Sequence, residues 1–279
     1  MRLTFLHRTK IGLTVAALAL TSAACSRTDS ITAYSVAGPD QAVNIASLDQ
    51  VIAQNPQDAG ALNVRGTAHG RAGDFEKAIA DFSAAIGINP AFHQAYNNRA
   101  LVYQRLGQTD KALEDFNQAI AIAPDYGPAY LGRGTIYRLR KQYGAALGDF
   151  DRAIQLKGSN QALAYHNRAL VYQAQGQHEI AIDDFSTALS LDPDSSEPYH
   201  GRALSYYAIG DQRKAMSDLD LAVKLNPRYA EAWATRGMVL EASGKQAPAY
   251  ESYQKALSFD SHNAIARSGS NRLRRFGVG

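Results

Sequence analysis

NNRALVYQRLGQ (Asn97–Gln108) and HNRALVYQAQGQ (His166–Gln177) are nearly the same twelve residues, written sixty-nine positions apart. Either an active site has been duplicated, or two structural periods and one extra residue separate the copies. The prolines decide between these. Pro90 and Pro124 stand thirty-four residues apart, as do Pro193 and Pro227, and each closes a segment of similar pattern. With each proline at repeat position 32, six segments follow: 59–92, 93–126, 127–160, 162–195, 196–229 and 230–263. One inserted residue, Gln161, lies after Gly158 and Ser159 where a proline is expected, and it accounts for the sixty-nine.

The columns of this alignment have a physical meaning. Position 8 is Gly66, Ala100, Gly134, Ala169, Ala203 and Gly237. Positions 20 and 27 are alanine in all six segments, from Ala78 and Ala85 to Ala249 and Ala256. Position 24 is Phe82, Phe116, Phe150, Phe185, Leu219 and Tyr253. Positions 20, 24 and 27 follow i, i+4, i+7, the spacing of one helical face. Small residues on that face let two helices approach, and the large residue fills the space beside them. Gly73, Gly107, Gly176, Gly210 and Gly244 share position 15, where a glycine can end the first helix with positive φ.

A thirty-four-residue period of this kind resembles the tetratricopeptide repeat (TPR), a helix–turn–helix unit. The resemblance runs from 59 to 263 and implies an all-α fold: a right-handed solenoid of six helix–turn–helix repeats. Two departures stand out, Lys141 for the turn glycine of repeat 3 and Ser261 for the closing proline of repeat 6. A half-repeat over 46–58, with Leu48 and Val51 at positions 24 and 27, is expected to cap the N-terminal end. The segment 264–279 is expected to close the other end as a capping helix with a basic tail, Arg267, Arg272, Arg274 and Arg275 giving it a polar outer face. The repeated NRALVYQ is then architecture rather than a second active site.

The chain begins differently. Arg2, Arg8 and Lys10 precede the apolar run Ile11–Leu20, and Thr21-Ser22-Ala23-Ala24-Cys25 follows. A basic head, a short apolar stretch and small residues form a secretory signal over 1–24. The run is too short for a permanent span, which takes about 20 apolar residues. Cys25, the single cysteine, resembles the lipidated first residue of a bacterial lipoprotein, although Ser22 stands where that motif usually has leucine. Cleavage by ordinary signal peptidase after Ala24 is the alternative, and it would release a soluble periplasmic protein with a free thiol. In the lipoprotein reading Ser26 suits the outer membrane, and residues 25–45 are a flexible tether rich in Ser, Thr, Ala and Gly. Of the 29 basic side chains, Arg2, Arg8 and Lys10 lie in the leader, and the other 26 balance the 26 acidic ones. That balance gives no bulk electrostatic case for nucleic acid.

Arginine fills position 7 in every repeat, and aspartate fills position 23 in all but the last, as in Arg99 with Asp115 and Arg168 with Asp184. The matched columns suggest structural salt bridges, within a hairpin or between neighbours, since a guanidinium fork suits a carboxylate. An anion-binding ladder is the functional alternative. The aromatics at position 4 (Tyr96, Tyr130, Tyr165, Tyr199, Trp233) and position 11 (Tyr103, Tyr137, Tyr172, Tyr206) read as packing columns. His166 and His200 share position 5 of adjacent repeats, but with no third ligand at their level they predict no metal site. No nucleophile elbow, P-loop or acid–base pair is present, so neither catalysis nor a cofactor is expected.

The TPR resemblance implies a concave face lined by positions 2, 5, 9, 12 and 13 of each first helix. Here those are Asn97, Leu101 and Arg105, then Leu131, Thr135 and Arg138, then His166 and Leu170, then Glu197, His200 and Leu204. A leucine stripe with arginines at one end and Glu197, Glu231 and Glu241 at the other suits an extended peptide or a partner helix. Positions 2, 5 and 9 carry no lysine, so the carboxylate clamp of some TPR proteins is not expected. The implied function is a non-catalytic adaptor of the bacterial envelope that binds another envelope protein. Rival readings are a pilotin-like assembly factor for a secretin or pilus, and a regulator of an envelope hydrolase or the hydrolase itself. The sequence carries no signal for oligomeric state.

Overall fold

A computed structural model describes residues 45–275 and Gly277; the leader, Cys25 and nearly all of the tether lie outside these residues. Among the described residues there are fourteen α-helices and no strand. Helix α1 (Ile45–Gln54) stands alone, and six hairpins follow it. They are α2–α3 (Ala59–Ala72, Phe75–Ile88), α4–α5 (His93–Arg105, Thr109–Ile122), α6–α7 (Gly127–Leu139, Tyr143–Gln155), α8–α9 (Gln161–Ala174, His178–Leu191), α10–α11 (Ser196–Ala208, Gln212–Leu225) and α12–α13 (Ala230–Ala242, Gln246–Phe259). Helix α14 (Ala264–Arg275) ends the described stack. No helix among the described residues is long and apolar enough to cross a membrane.

The hairpin turns follow from backbone sterics. Gly73, Gly107, Gly176, Gly210 and Gly244 have φ between 73° and 87°, a region closed to most side chains. Lys141 is held at φ 59° where repeat 3 lacks the glycine, a strained conformation for a residue with a Cβ. The junction after α7 is also unusual. Lys157 turns at φ 50°, and Gln161, the inserted residue, donates its side-chain Nε2–H to the Ile154 carbonyl.

Packing repeats with the sequence. Alanines at positions 20 and 27 are buried in all six hairpins, and the large residue at position 24 is at most 1% exposed. Each of those large side chains is wedged between two first helices. A Cβ on Gly134 would stand 2.8 Å from the Phe150 ring of its own hairpin, and one on Gly201 would stand 2.5 Å from Phe185 of the hairpin before. The close-packed interior therefore needs small residues at position 8 and, in α6, α10 and α14, glycine at position 6. Position 6 escaped the sequence reading, although Gly132, Gly201 and Gly269 mark it.

Each helix packs on its successor. The first helices α2, α4, α6, α8, α10, α12 and α14 also touch one another in series, whereas no two second helices touch. The stack is consequently tighter along its first helices, and residues 45–275 curve toward them. That inner side is where the sequence expected the binding face.

Both half-units keep the repeat register. Asp49 of α1 binds Arg65 at 2.7 Å, the contact that position 25 makes with the next position 7 throughout the array. At the other end Gln254 donates to Ser270 Oγ at 2.7 Å, again position 25 to position 7. Val51 departs from expectation. It is 44% exposed rather than packed, because α1 is covered on one side only, by α2.

Candidate functional site

Position 5 sits on the seam between consecutive first helices rather than in open solvent. His200 of α10 shows this directly, with Nε2 2.9 Å from Thr235 Oγ1 of α12 and Nδ1 3.0 Å from the Tyr229 hydroxyl. Thr235 gives its own proton to the Glu231 carbonyl. Its oxygen must therefore accept from His200 Nε2–H, which leaves Nδ1 to accept from Tyr229. The ring is neutral and fixed. His166 occupies the same seam one repeat earlier, against the Phe185 ring, and its buried Nδ1 has no hydrogen-bond partner among the described residues. Burial pushes His166 down to about 3, with Arg138 and His200 adding to the effect, and pushes His200 down to about 4.

Two of the expected groove residues are corrected. Asn97 is fully buried and Leu131 is 2% exposed, so neither offers its side chain to a ligand, whereas His166 and His200 stay partly accessible in the seam. The cause is the close approach of neighbouring first helices, which narrows the position-5 column. Position 9 is half-open: Leu101, Thr135, Leu170 and Leu204 are partly buried, and Thr135 turns its hydroxyl to the Leu131 carbonyl. Leu170 also packs beside Phe185 and Ala181. The leucine stripe is therefore shared between core and surface. Arg105 and Glu197 are exposed, Arg138 is partly buried, and Leu139 at position 13 is 52% exposed. The acidic end is weaker than its sequence suggested. Glu241 is taken up by Arg272 at 2.6 and 2.8 Å and accepts from the Tyr253 hydroxyl at 2.8 Å. Hydrogen bonding to Arg272 holds its pKa below the usual carboxylate value.

The arginine column answers the question of which helices it joins: both kinds. Arg99 donates from Nε and a terminal nitrogen to Asp115 of its own hairpin, each at 2.8 Å, and from the other terminal nitrogen to Ser83 of the preceding one at 2.9 Å. Arg168 does the same with Asp184 and Asp151, and Arg133 and Arg202 repeat the pattern. Hydrogen bonding to the paired aspartate raises each guanidinium pKa. In repeat 6 Arg236 reaches Ser252 and Asp220 instead. The flanking aromatics pack, partly buried, against the edge of the core, as Tyr96, Tyr103, Tyr172, Tyr199, Tyr206 and Trp233 show. Tyr96 and Tyr103 hold the Arg99 guanidinium at 5.7 and 5.9 Å from their ring centres, and Tyr165 and Tyr172 hold Arg168 at 5.3 and 5.9 Å. Each cation is thus saturated by carboxylate and π-faces. An anion-binding ladder is not what this geometry provides. The position-25 partners were legible as a column of short polar residues, Ser83, Asn117, Asp151, Ser186 and Asp220, but only the contacts reveal their use. Among the described residues no group of three His, Cys, Asp or Glu could hold a metal ion.

Comparison with known proteins agrees with this architecture. Profiles described as tetratricopeptide repeat match residues 93–126, 162–195, 196–229 and 230–263, and one described as TPR repeat matches 71–107. Together these ranges take in more than half of the chain. Among solved structures, the Cut9–Hcn1 hetero-tetramer of the APC/C is similar over 84% of this chain at 15% identity, TM-score 0.76. The present chain spans only 46% of that one. Pseudomonas aeruginosa pilF is similar over 78% of this chain and 100% of its own, at 17% identity and TM-score 0.69. PilW, described as a type IV pilus biogenesis factor, is similar over 75% of this chain and 97% of its own, at 21% identity and TM-score 0.68. No curated protein matches the chain.

Proposed function

The chain belongs to the tetratricopeptide-repeat family, and from that premise we propose that it is a non-catalytic scaffold of the bacterial envelope, tied to the outer membrane through Cys25. Its repeats bind a peptide or helix of another envelope protein along the inner face. The observation that carries the binding role is the asymmetry of the stack. First helices touch in series and second helices do not, so a curved inner side is built from side chains at positions 9, 12 and 13. Leu101, Arg105, Thr135, Arg138, Leu139, Leu170 and Leu204 are among its members that remain open or half-open. Apolar patches bounded by charge suit an extended or helical ligand.

A second reading is assembly of a pilus or its secretin. What favours it is the likeness to pilF and PilW, both covered almost end to end by this chain.

One experiment separates these readings from their failure. Photo-crosslinking residues are placed at Leu139 and Arg105 on the inner side, and at Leu191, 49% exposed on a second helix, as the control. An envelope protein trapped from the inner positions and not from Leu191 is the expected result, and its identity distinguishes a wall enzyme from a pilus component. Equal trapping from both faces would remove the groove reading. In the same cells Cys25→Ala should shift the protein from the membrane fraction to the soluble periplasm; unchanged fractionation would remove the anchor.

A further inference from the structure

We infer that the N-terminal face of the repeat array, formed by α1 and α2, takes an amphipathic α-helix from a partner protein, seated as a first helix is seated within the array. The site is distinct from the inner groove and does not depend on it. Positions 3 and 10 are buried in every first helix from α4 to α14, by Ala95 and Val102 in the former and by Ala266 and Leu273 in the latter. What covers them is the preceding hairpin, its second helix above all, with its first helix adding contacts such as Gln173 to Ser205 at 2.8 Å. Before α2, among the described residues, only the second-helix equivalent, α1, stands. In α2 the same positions, Ala61 and Ala68, are only half-buried, and Val64 between them at position 6 is 41% exposed. Helix α1 shows the matching defect. Leu48 at position 24 is half-buried and Val51 at position 27 is 44% exposed, where the other second helices have both positions closed by their hairpin partner. No described residue supplies that partner.

The array itself says what fits. The equivalent slot is occupied six times, each time by a helix with a small residue at position 8 and a mixed apolar face. Among these occupants α12 is the best guide. Its own partner α13 carries Ser252 at position 23, as α1 carries Ser47, where the other repeats carry aspartate. The occupant is therefore a helix of small and apolar residues that needs no aspartate opposite it.

A second copy of this chain stacked tail to head does not fit. The end of the described stack is closed by α14, whose positions 4, 8 and 11 are Arg267, Asn271 and Arg274, all exposed. Stacking would bury two guanidiniums against Leu48 and Val51 with no carboxylate to receive them, which is strongly unfavourable. One end of the array is polar and finished, and the other is apolar and open.

The test uses the full chain and a fluorescent, lactam-bridged peptide copying Ala230–Ala242. Fluorescence anisotropy should show saturable binding that weakens at least tenfold in Val51→Glu/Val64→Glu, two exposed positions where the fold is retained by circular dichroism. Leu191→Glu should bind as wild type. No binding at millimolar peptide, or binding indifferent to the paired substitution, overturns the inference. Two outcomes overturn the choice of occupant. A dimer by light scattering that Val51→Glu splits would assign the face to a second copy. Binding that appears only after deletion of residues 26–40 would assign it to the chain itself.

Discussion

Arg168 shows at the residue scale how one side chain can hold three helices. Its guanidinium spans α8, α9 and α7, through Asp184 at 2.7 and 2.8 Å and Asp151 at 2.6 Å. Asp184 is only 6% exposed, so removing the arginine leaves a carboxylate short of water. Arg168→Met should cost about 3 kcal/mol in urea unfolding, and Asp184→Leu added to it should recover a large part of the loss, because both desolvated charges are then gone. Equal stability of Arg168→Met and wild type would show that the clip is ornamental. The histidines give the pH counterpart. His166 and His200 are held at about 3 and about 4 by burial, below the ordinary value near 6.5. The unfolded chain therefore binds more protons than the folded one below pH 6.5. Stability is complete above that pH and falls as the solution is acidified toward pH 4, by up to about 1.4 kcal/mol per unit for each ring. Melting curves between pH 7 and pH 4.5 should decline in the wild type and flatten in His166→Leu/His200→Asn.

The turns and wedges belong to the element scale. A hairpin needs a residue of positive φ at its turn, and five of the six use glycine. The sixth uses Lys141 at φ 59°, where a Cβ meets its own backbone. Lys141→Gly should therefore stabilise the protein, by about 1 kcal/mol, despite the greater freedom glycine gives the unfolded chain. A lower melting temperature would mean that the lysine side chain contributes more than its backbone costs. Position 6 is the converse case. Glycine inside a helix is ordinarily a weakness, but in α10 Gly201 is required because the Phe185 ring of the neighbouring hairpin lies against it. Local helix propensity argues against that residue, and packing between repeats overrides it.

The whole molecule is a sum of neighbours. Helices touch the next helix and, on the inner side, the next first helix, and no contact reaches further. A lesion should then be felt where it is made. Ala181 is fully buried at the close approach of α8 and α9. Ala181→Leu should overpack that contact, costing about 1–3 kcal/mol, and hydrogen exchange should rise first in repeats 4 and 5 while α2–α5 stay protected. Uniform loss of protection along the array would show that the repeats unfold as one unit.

The period, the hairpin count and the alanine and aromatic columns were legible in the sequence because each repeat solves the same local problem with the same residues. Thirty-four residues from Pro90 to Pro124 and again from Pro193 to Pro227 are enough to set the register, and Arg99 beside Asp115 is visible as a pair of matched columns. What the sequence could not say is which side of a first helix faces solvent, since that depends on how closely successive first helices approach. At two of the seams Gly132 and Gly201 at position 6 admit a ring from the repeat before, while Asn98, Asn167 and Thr235 fill that position at others. Close approach then shuts the seam over Asn97 and Leu131, which the family resemblance places in the groove, and it leaves His166, His200 and position 9 half-open. The apolar face of α1 and α2 is likewise a tertiary fact. Val51 sits in a column that is buried in every hairpin and Val64 in one that is buried from α6 onward, and the position of their helices at the end of the stack exposes them. Sequence periodicity fixes the shape of one repeat, but burial is decided by what stands beside it, and at an array's seams and ends that is a property of the assembled chain.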